Sequence, residues 1–201
     1  MKKPVVLGCA ALALGGLVLL GVAGASSYNR LIGLEESVDE AWSQVENVYQ
    51  RRSDLIPNLV ATVKGAAAFE QETFTAVTEA RARAGQMSFE EAPSPEQLQR
   101  YQEAQGELSA ALSRLMVVVE RYPELRATEA FRDLQSQLEG TENRIAVERR
   151  RFNEVARDFN TTRRRFPTNL LANLFGFEGK AYFEAEDEAE EPPQVDFSDP
   201  P

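Results

Sequence analysis

The side chains with chemical potential in this chain are charged and amide groups that interrupt otherwise apolar helical patterns. Arg52 stands where an apolar residue is due, with Asp54, Asn58, Lys64 and Glu70 close by, and a second group follows at Glu142, Asn143, Arg144 and Glu148. Gathered in one interior, such groups make a charged site for a small ligand or a metal ion. They serve equally as ion pairs and hydrogen bonds that fix helix register, as a buried polar residue does in a coiled coil. The register reading is the simpler and is preferred.

Most other chemistry is excluded by composition. The chain has no histidine and a single cysteine, Cys9. There is therefore no Ser-His-Asp or Cys-His nucleophile system, no His-containing zinc site, no Glu-x-x-His di-iron bundle and no internal disulfide. A carboxylate-only site for a hard cation stays open. Glycine-rich phosphate loops and nucleophile elbows are absent. A carboxylate-based hydrolase needs a cleft holding two close acids, and the pattern shows no inserted loops to build one. No catalytic, cofactor-binding or metal-ligating residue is assigned, no cofactor is expected, and the chain reads as a non-enzyme.

Two arginine runs, Arg149-Arg150-Arg151 and Arg163-Arg164-Arg165, invite a phosphate-binding reading. Three consecutive residues on a helix point in three directions, however, so these arginines read as a solvated face. The net charge is −10, and the stretch from Glu184 carries Glu186, Asp187, Glu188, Glu190, Glu191, Asp196 and Asp199 with no Lys or Arg. A phosphate backbone is repelled by such a surface, which argues against nucleic acid as a partner.

The elements that must position the candidate groups begin with a membrane segment. From Pro4 to Ala25 every residue is apolar or small. Such a run spans about 33 Å at about 1.5 Å per residue, enough to cross a hydrocarbon layer of about 30 Å. A cleaved signal peptide is the rival, given Ala23-Gly24-Ala25, but the run exceeds a signal core and helix-compatible sequence continues past it. A lipoprotein reading of Leu7-Gly8-Cys9 fails because only three residues precede the hydrophobic core. Lys2 and Lys3 outweigh Arg30, which predicts an N-in, C-out single pass, with the body outside the cytoplasm. Residues 1–27 are thus read as a transmembrane anchor in the cell membrane, the inner membrane if the cell has two.

The body, 28–183, reads as all-α. Leu31, Val38, Val45, Arg52, Leu59, Ala66, Thr73 and Ala80 repeat every seven residues, with Leu34, Ala41, Val48, Leu55, Thr62, Phe69 and Ala76 three residues on. Two such ladders are the seam of a helix in a bundle, and Trp42, Tyr49, Ile56, Val63 and Val77 widen it. Pro57 removes one amide donor, yet the register passes it without a slip, so the pattern predicts one long kinked helix from about Tyr28 to Ala84; a split there makes a four-helix count. A break at Gly85 to Pro95 precedes a second helix through Leu98, Tyr101, Leu108, Leu112, Leu115 and Val119, with Gln105 its polar exception. Thr128 can cap a third, in which Phe131, Leu138, Ile145, Phe152, Phe159 and Phe166 recur every seven residues. Asn169 to Phe183 is expected to fold back on the bundle, and 184–201 to form an acidic disordered tail. The expected architecture is an N-terminal transmembrane helix followed by an elongated antiparallel bundle of three long helices.

The chain resembles the LemA family of bacterial membrane proteins through Tyr28-Asn29-Arg30-Leu31, Asp39-Glu40-Ala41-Trp42-Ser43-Gln44 and Arg51 to Val60. The likeness continues in Thr62 to Gly65 and Glu79-Ala80-Arg81. A later block, Glu142 to Ala146 with Arg149 to Asn153, runs on through Phe159-Asn160-Thr161, Phe166-Pro167, Leu174-Phe175-Gly176-Phe177 and Tyr182-Phe183. The resemblance implies a transmembrane helix followed by an antiparallel helical bundle and little about mechanism. Where that family often has histidine before the glutamate matching Glu70, this chain has Phe69, so no role for that histidine carries over.

The leading expectation is a membrane-tethered scaffold or adaptor of the bacterial envelope that engages other envelope proteins or copies of itself. The alternatives are a ligand or cation sensor using the polar groups around Arg52, and the carboxylate hydrolase.

Overall fold

The computed structural model describes residues 3–66, 70–89 and 91–184, and among these there is no strand. The expected acidic tail beyond Glu184 and the ladder position Phe69 lie outside the described residues. Among the described residues six helices follow in order: α1 (Lys3–Ala66), α2 (Gln71–Gly85), α3 (Pro95–Glu120), the single turn α4 (Pro123–Arg126), α5 (Glu129–Arg164) and the short α6 (Thr168–Phe175). α1 is the one helix among the described residues long and apolar enough, by length and composition, to cross a membrane. It continues without interruption from that apolar end into the bundle.

The single first helix expected to reach Ala84 is corrected. α1 passes through Pro57 unbroken but ends at Ala66, and α2 runs back along it, Arg81 lying beside Ser53. In α2 the buried stripe is Phe74, Val77, Ala80 and Ala84, while the ladder positions Thr73 and Ala76 are half-buried, so the expected register carries over only at Val77 and Ala80. The bundle therefore has four antiparallel members, α1, α2, α3 and α5, with the reversal some ten residues beyond the proline.

Pro57 is tolerated for a reason visible in α2. Its missing N–H leaves the Ser53 carbonyl without the usual intrahelical donor. Arg81 Nε donates to that carbonyl at 2.8 Å. Arg81→Ala is accordingly expected to cost about 1.5 kcal/mol, the order for a hydrogen bond from a charged donor. Most of that cost should vanish in a Pro57→Ala background, where the substituted residue restores the helical N–H donor. A double-mutant cycle by denaturant titration checks this; additive effects would refute it.

The deep stripe of α1 differs slightly from the expected seam. Leu31, Val38, Val45, Arg52 and Leu59 are buried, but their closest companions are Trp42, Tyr49, Ile56 and Val63, four residues on, while Leu34, Val48, Leu55 and Thr62 are half-buried. A helix touching several neighbours presents a broad apolar face. In α5 the ladder holds from Phe131 to Phe159, each rung buried, but Phe166 is 81% exposed. α5 ends at Arg164, so Phe166 no longer shares its face.

Two non-helical segments complete the fold. The connector between α2 and α3 lies along α1, where Glu46 accepts from the Phe89 amide at 3.0 Å and Asp39 from the Ala92 amide at 2.9 Å. Ser94 then opens α3 with a reciprocal capping box to Gln97. After α6, Gly176 adopts φ +75°, a conformation that favours glycine, and reverses the chain. Residues 177–184 return as an extended strap along α5, setting Phe177 and Phe183 into the core.

Candidate functional site: a buried arginine layer and its clefts

Arg52 sits at the centre of the bundle, 2% exposed. Its Nη1 donates to Ser109 Oγ and to Glu142 Oε1, each at 3.0 Å, and its Nη2 donates to Gln105 Oε1 and to the Gln105 carbonyl. The guanidinium also lies 5.0 Å from the centre of the Tyr49 ring. A planar fork with five donors suits this role, since one side chain from α1 reaches both α3 and α5. Nε is buried and has no acceptor. Gln105 and Thr141 are buried in the same layer, the latter returning its hydroxyl to the Gln137 carbonyl at 2.7 Å.

This layer divides the core. On one side lie Ile56, Leu59, Val63, Phe74, Leu115 and Phe131 with their neighbours. On the other, toward the apolar end of α1, lies an aromatic cluster centred on Trp42, whose ring meets Phe89, Tyr101, Phe152 and Phe183 at centroid distances of 6.1, 5.2, 5.8 and 6.2 Å. Apolar packing alone permits one helix to slide along another by a turn; a guanidinium with fixed partners on two other helices does not.

Two clefts open on the layer. One of about 640 Å³ lies between α3 and α5, with Arg52, Gln102, Gln105, Ser109, Glu142 and Arg149 among its lining. The other, about 230 Å³, is bordered by Glu46, Tyr49, Ser53, Tyr101 and Gln105. The larger has the size of a small-molecule site but a polar lining, unlike the mostly apolar pockets that bury drug-sized ligands. Glu142 is committed to Arg52, and using it as an acid or base would strand a buried guanidinium. Among the described residues, no three His, Cys, Asp or Glu side chains gather as a metal site.

Burial pushes the Tyr101 hydroxyl far above its ordinary pKa of about 10, with Tyr49 and Glu46 adding to the shift. Below pH 10 both folded and unfolded states keep this proton, so it adds no pH dependence. Above that the unfolded chain loses the proton first, and stability falls as pH rises. Alkaline titration followed by tyrosine absorbance should show ionisation that occurs only with unfolding, its amplitude reduced in Tyr101→Phe.

Of the candidates named from sequence, the structure brings Arg52 and Glu142 together and leaves the others apart. Asp54 is exposed and accepts from Gln50 Nε2 at 2.8 Å. Asn58, Lys64, Asn143 and Arg144 are exposed. Glu70 pairs with Arg121 at 2.9 Å, near the end of the bundle remote from the apolar part of α1. Ser109 and Thr141 were missed. Gln105 was visible as an interruption of the α3 pattern, and the structure places it in the same layer as Arg52.

The arginine runs are also corrected in part. Arg149 and Arg163 are half-buried and hold the strap; Arg163 Nε donates to the Phe177 carbonyl at 2.6 Å and Arg149 Nη2 to the Glu184 carbonyl at 3.0 Å. Between them, Asn160 donates to the Lys180 carbonyl and accepts from its amide at 2.8 and 2.9 Å. Asn153 does the same with Phe183 at 2.9 and 2.8 Å. Seven residues of helix rise about 10.5 Å and three extended residues about 10 Å, so the two asparagines match the strap in register. Asn160→Ala should abolish the slow hydrogen exchange of the Lys180 amide while leaving α3 amides protected. Unchanged protection would refute the clasp.

The sequence model of the LemA family matches residues 41–197. This chain belongs to the LemA family. Similar curated proteins are magnetosome protein MamQ 2 of Paramagnetospirillum magneticum, 28% identical over 176 residues, covering 78% of this chain and 64% of that protein, and magnetosome protein MamQ of Magnetospirillum gryphiswaldense, 26% identical with the same coverage. Protein LemA of Metamycoplasma hominis is 23% identical, covering 78% of this chain and 68% of that one. The chain thus spans less than two thirds of the MamQ proteins it matches, and none of these names is that of an enzyme.

The blocks that carry the LemA resemblance acquire structural roles here. Asp39 and Trp42 hold the connector, Trp42 Nε1 donating to the Phe89 carbonyl at 3.3 Å. Arg52 and Glu142 make the central layer, Arg81 satisfies the helix at Pro57, and Arg149, Asn153 and Asn160 grip the strap. Much of this family signature secures irregular backbone to a helical frame.

Proposed function

We propose that this protein is a non-catalytic, membrane-anchored scaffold of the bacterial envelope, single-pass with its bundle outside the cytoplasm, which engages other envelope proteins or copies of itself. The observation that carries this reading is α1: one uninterrupted helix supplies both the apolar span and the central stripe of the bundle, so the body is rigidly coupled to the anchor. The engagement of its buried charge in structural hydrogen bonds supports a non-catalytic role, as do the names of the relatives. Photocrosslinking in intact membranes from positions along the α3–α5 cleft, followed by partner identification, tests it. Recovery of a defined protein partner or homo-oligomer is the expected result. A monomer with no crosslinked partner would overturn the scaffold reading, and protease protection of the acidic tail in intact cells, with cleavage after access to the cytoplasm, would overturn the orientation.

A second reading, a small-ligand sensor, is favoured by the cleft over Arg52 and the free Nε of that residue. It predicts a ligand-dependent rise in melting temperature that is lost in Ser109→Ala. The absence of any shift across a panel of small polar metabolites and cations counts against it.

A further inference from the structure

α6 carries an apolar surface that the bundle does not use. Leu170 and Leu174 are 60% and 75% exposed, Phe175 is 57% exposed and the preceding Phe166 81% exposed, while Ala172 on the opposite side is buried. Spacing of four residues puts Leu170 and Leu174 on one helical stripe. Four large apolar side chains left in water within ten residues ask for a covering surface.

The topology says which surface lies there. α5 runs antiparallel to α1 and the strap returns parallel to it, so α6 is the turn between them at the end of the bundle where α1 continues into its apolar segment. The Phe175 ring lies 4.9 Å from that of Tyr28 in an edge contact. Tyr28 is three residues beyond Ala25, the end of the apolar run, a rise of about 4.5 Å along the helix. An interfacial helix buries its apolar face about 5–10 Å into the boundary between headgroups and acyl chains, a depth that reaches this level. Tyr28 and Phe175 then sit where aromatic side chains concentrate at membrane surfaces. Arg30, Arg164 and Arg165 are exposed at the same end, but so is Glu178, so the contact rests on apolar insertion rather than on anionic lipid.

We infer that α6 is an interfacial foot: Phe166, Leu170, Leu174 and Phe175 insert into the outer boundary of the bilayer beside α1, giving the bundle a second point of contact that fixes its tilt. This rests on the reading of α1 as a membrane anchor. The block Leu174-Phe175-Gly176-Phe177 acquires a division of labour, with Leu174 and Phe175 facing lipid, Gly176 turning the chain and Phe177 entering the core.

The test uses the full chain with Cys9→Ser, reconstituted in phosphatidylcholine vesicles containing lipid with a nitroxide on the upper acyl chain. A fluorophore is attached at Leu174→Cys, at Leu19→Cys within the apolar run, or at Asp54→Cys midway along the bundle. The expected result is quenching of roughly twofold or more at Leu174 and Leu19, with none at Asp54. Quenching at Leu19 without quenching at Leu174 overturns the foot and leaves the anchor standing. Quenching at Leu174 without Leu19 overturns the anchor and, with it, the foot as a second contact beside α1, leaving α6 as a lone peripheral contact. Disulfide crosslinking between copies through Leu174→Cys, with no lipid quenching there, assigns the face to self-association and likewise overturns the foot.

Discussion

Trp42→Ala is expected to destabilise the bundle by about 4 kcal/mol, the order for a buried aromatic truncated in a tight core. Trp42 is 0% exposed, and its ring is the common neighbour of α3 through Tyr101, α5 through Phe152, the connector through Phe89 and the strap through Phe183. Collapse around the lost volume would have to move all four at once, and loss of the indole N–H would leave the Phe89 carbonyl without its donor. Denaturant unfolding of the detergent-solubilised chain by circular dichroism measures the effect. Trp42→Phe, which keeps most of the ring, should cost less than half as much. Equal losses would show that the hydrogen bond, not the packing, carries the site.

The second large effect concerns the arginine layer and has an informative asymmetry. Glu142→Ala leaves the Arg52 guanidinium, 2% exposed, without its counter-charge, and is expected to cost about 3 kcal/mol, the lower end for a broken buried pair because Glu142 itself is 44% exposed. Arg52→Met removes the charge and fills much of its volume with an apolar chain that joins the two core clusters. Glu142 is then released toward the cleft, and the cost should fall to about 1 kcal/mol. If Arg52→Met proves the worse of the two, the layer is a net source of stability rather than a device for register. If register is its task, Arg52→Met should broaden the amide resonances of α3 and α5 in NMR spectra while largely preserving helical content.

The candidate site was half legible. Arg52 stood out because an arginine on an apolar stripe has few explanations, and Glu142 because it lies between buried Leu138 and Ile145 in the α5 ladder. Asp54 and Asn58 were grouped with Arg52 by nearness in sequence, but two and six residues along a helix are turns of about 200° and 600°, which carry them off its face. Proximity along a chain is a poor guide to proximity in a bundle. The partners that matter come from α3 and α5, and no local pattern states which rung of one helix meets which rung of another.

Sequence by itself determined the helical class, the apolar run of α1, the passage through Pro57, the cap at Thr128 and the family. Each is written in local periodicity or in residues within a few positions of one another. Tertiary structure alone decided where the first helix reverses, because the apolar residues on either side of the reversal can be read in sequence as one seven-residue ladder. It decided that Arg81 answers Pro57, that Asn153 and Asn160 clasp the strap, and that Phe166 leaves the ladder for the exposed face near α6. These depend on the relative placement of separate helices, which is set when side chains far apart in sequence compete for the same interior.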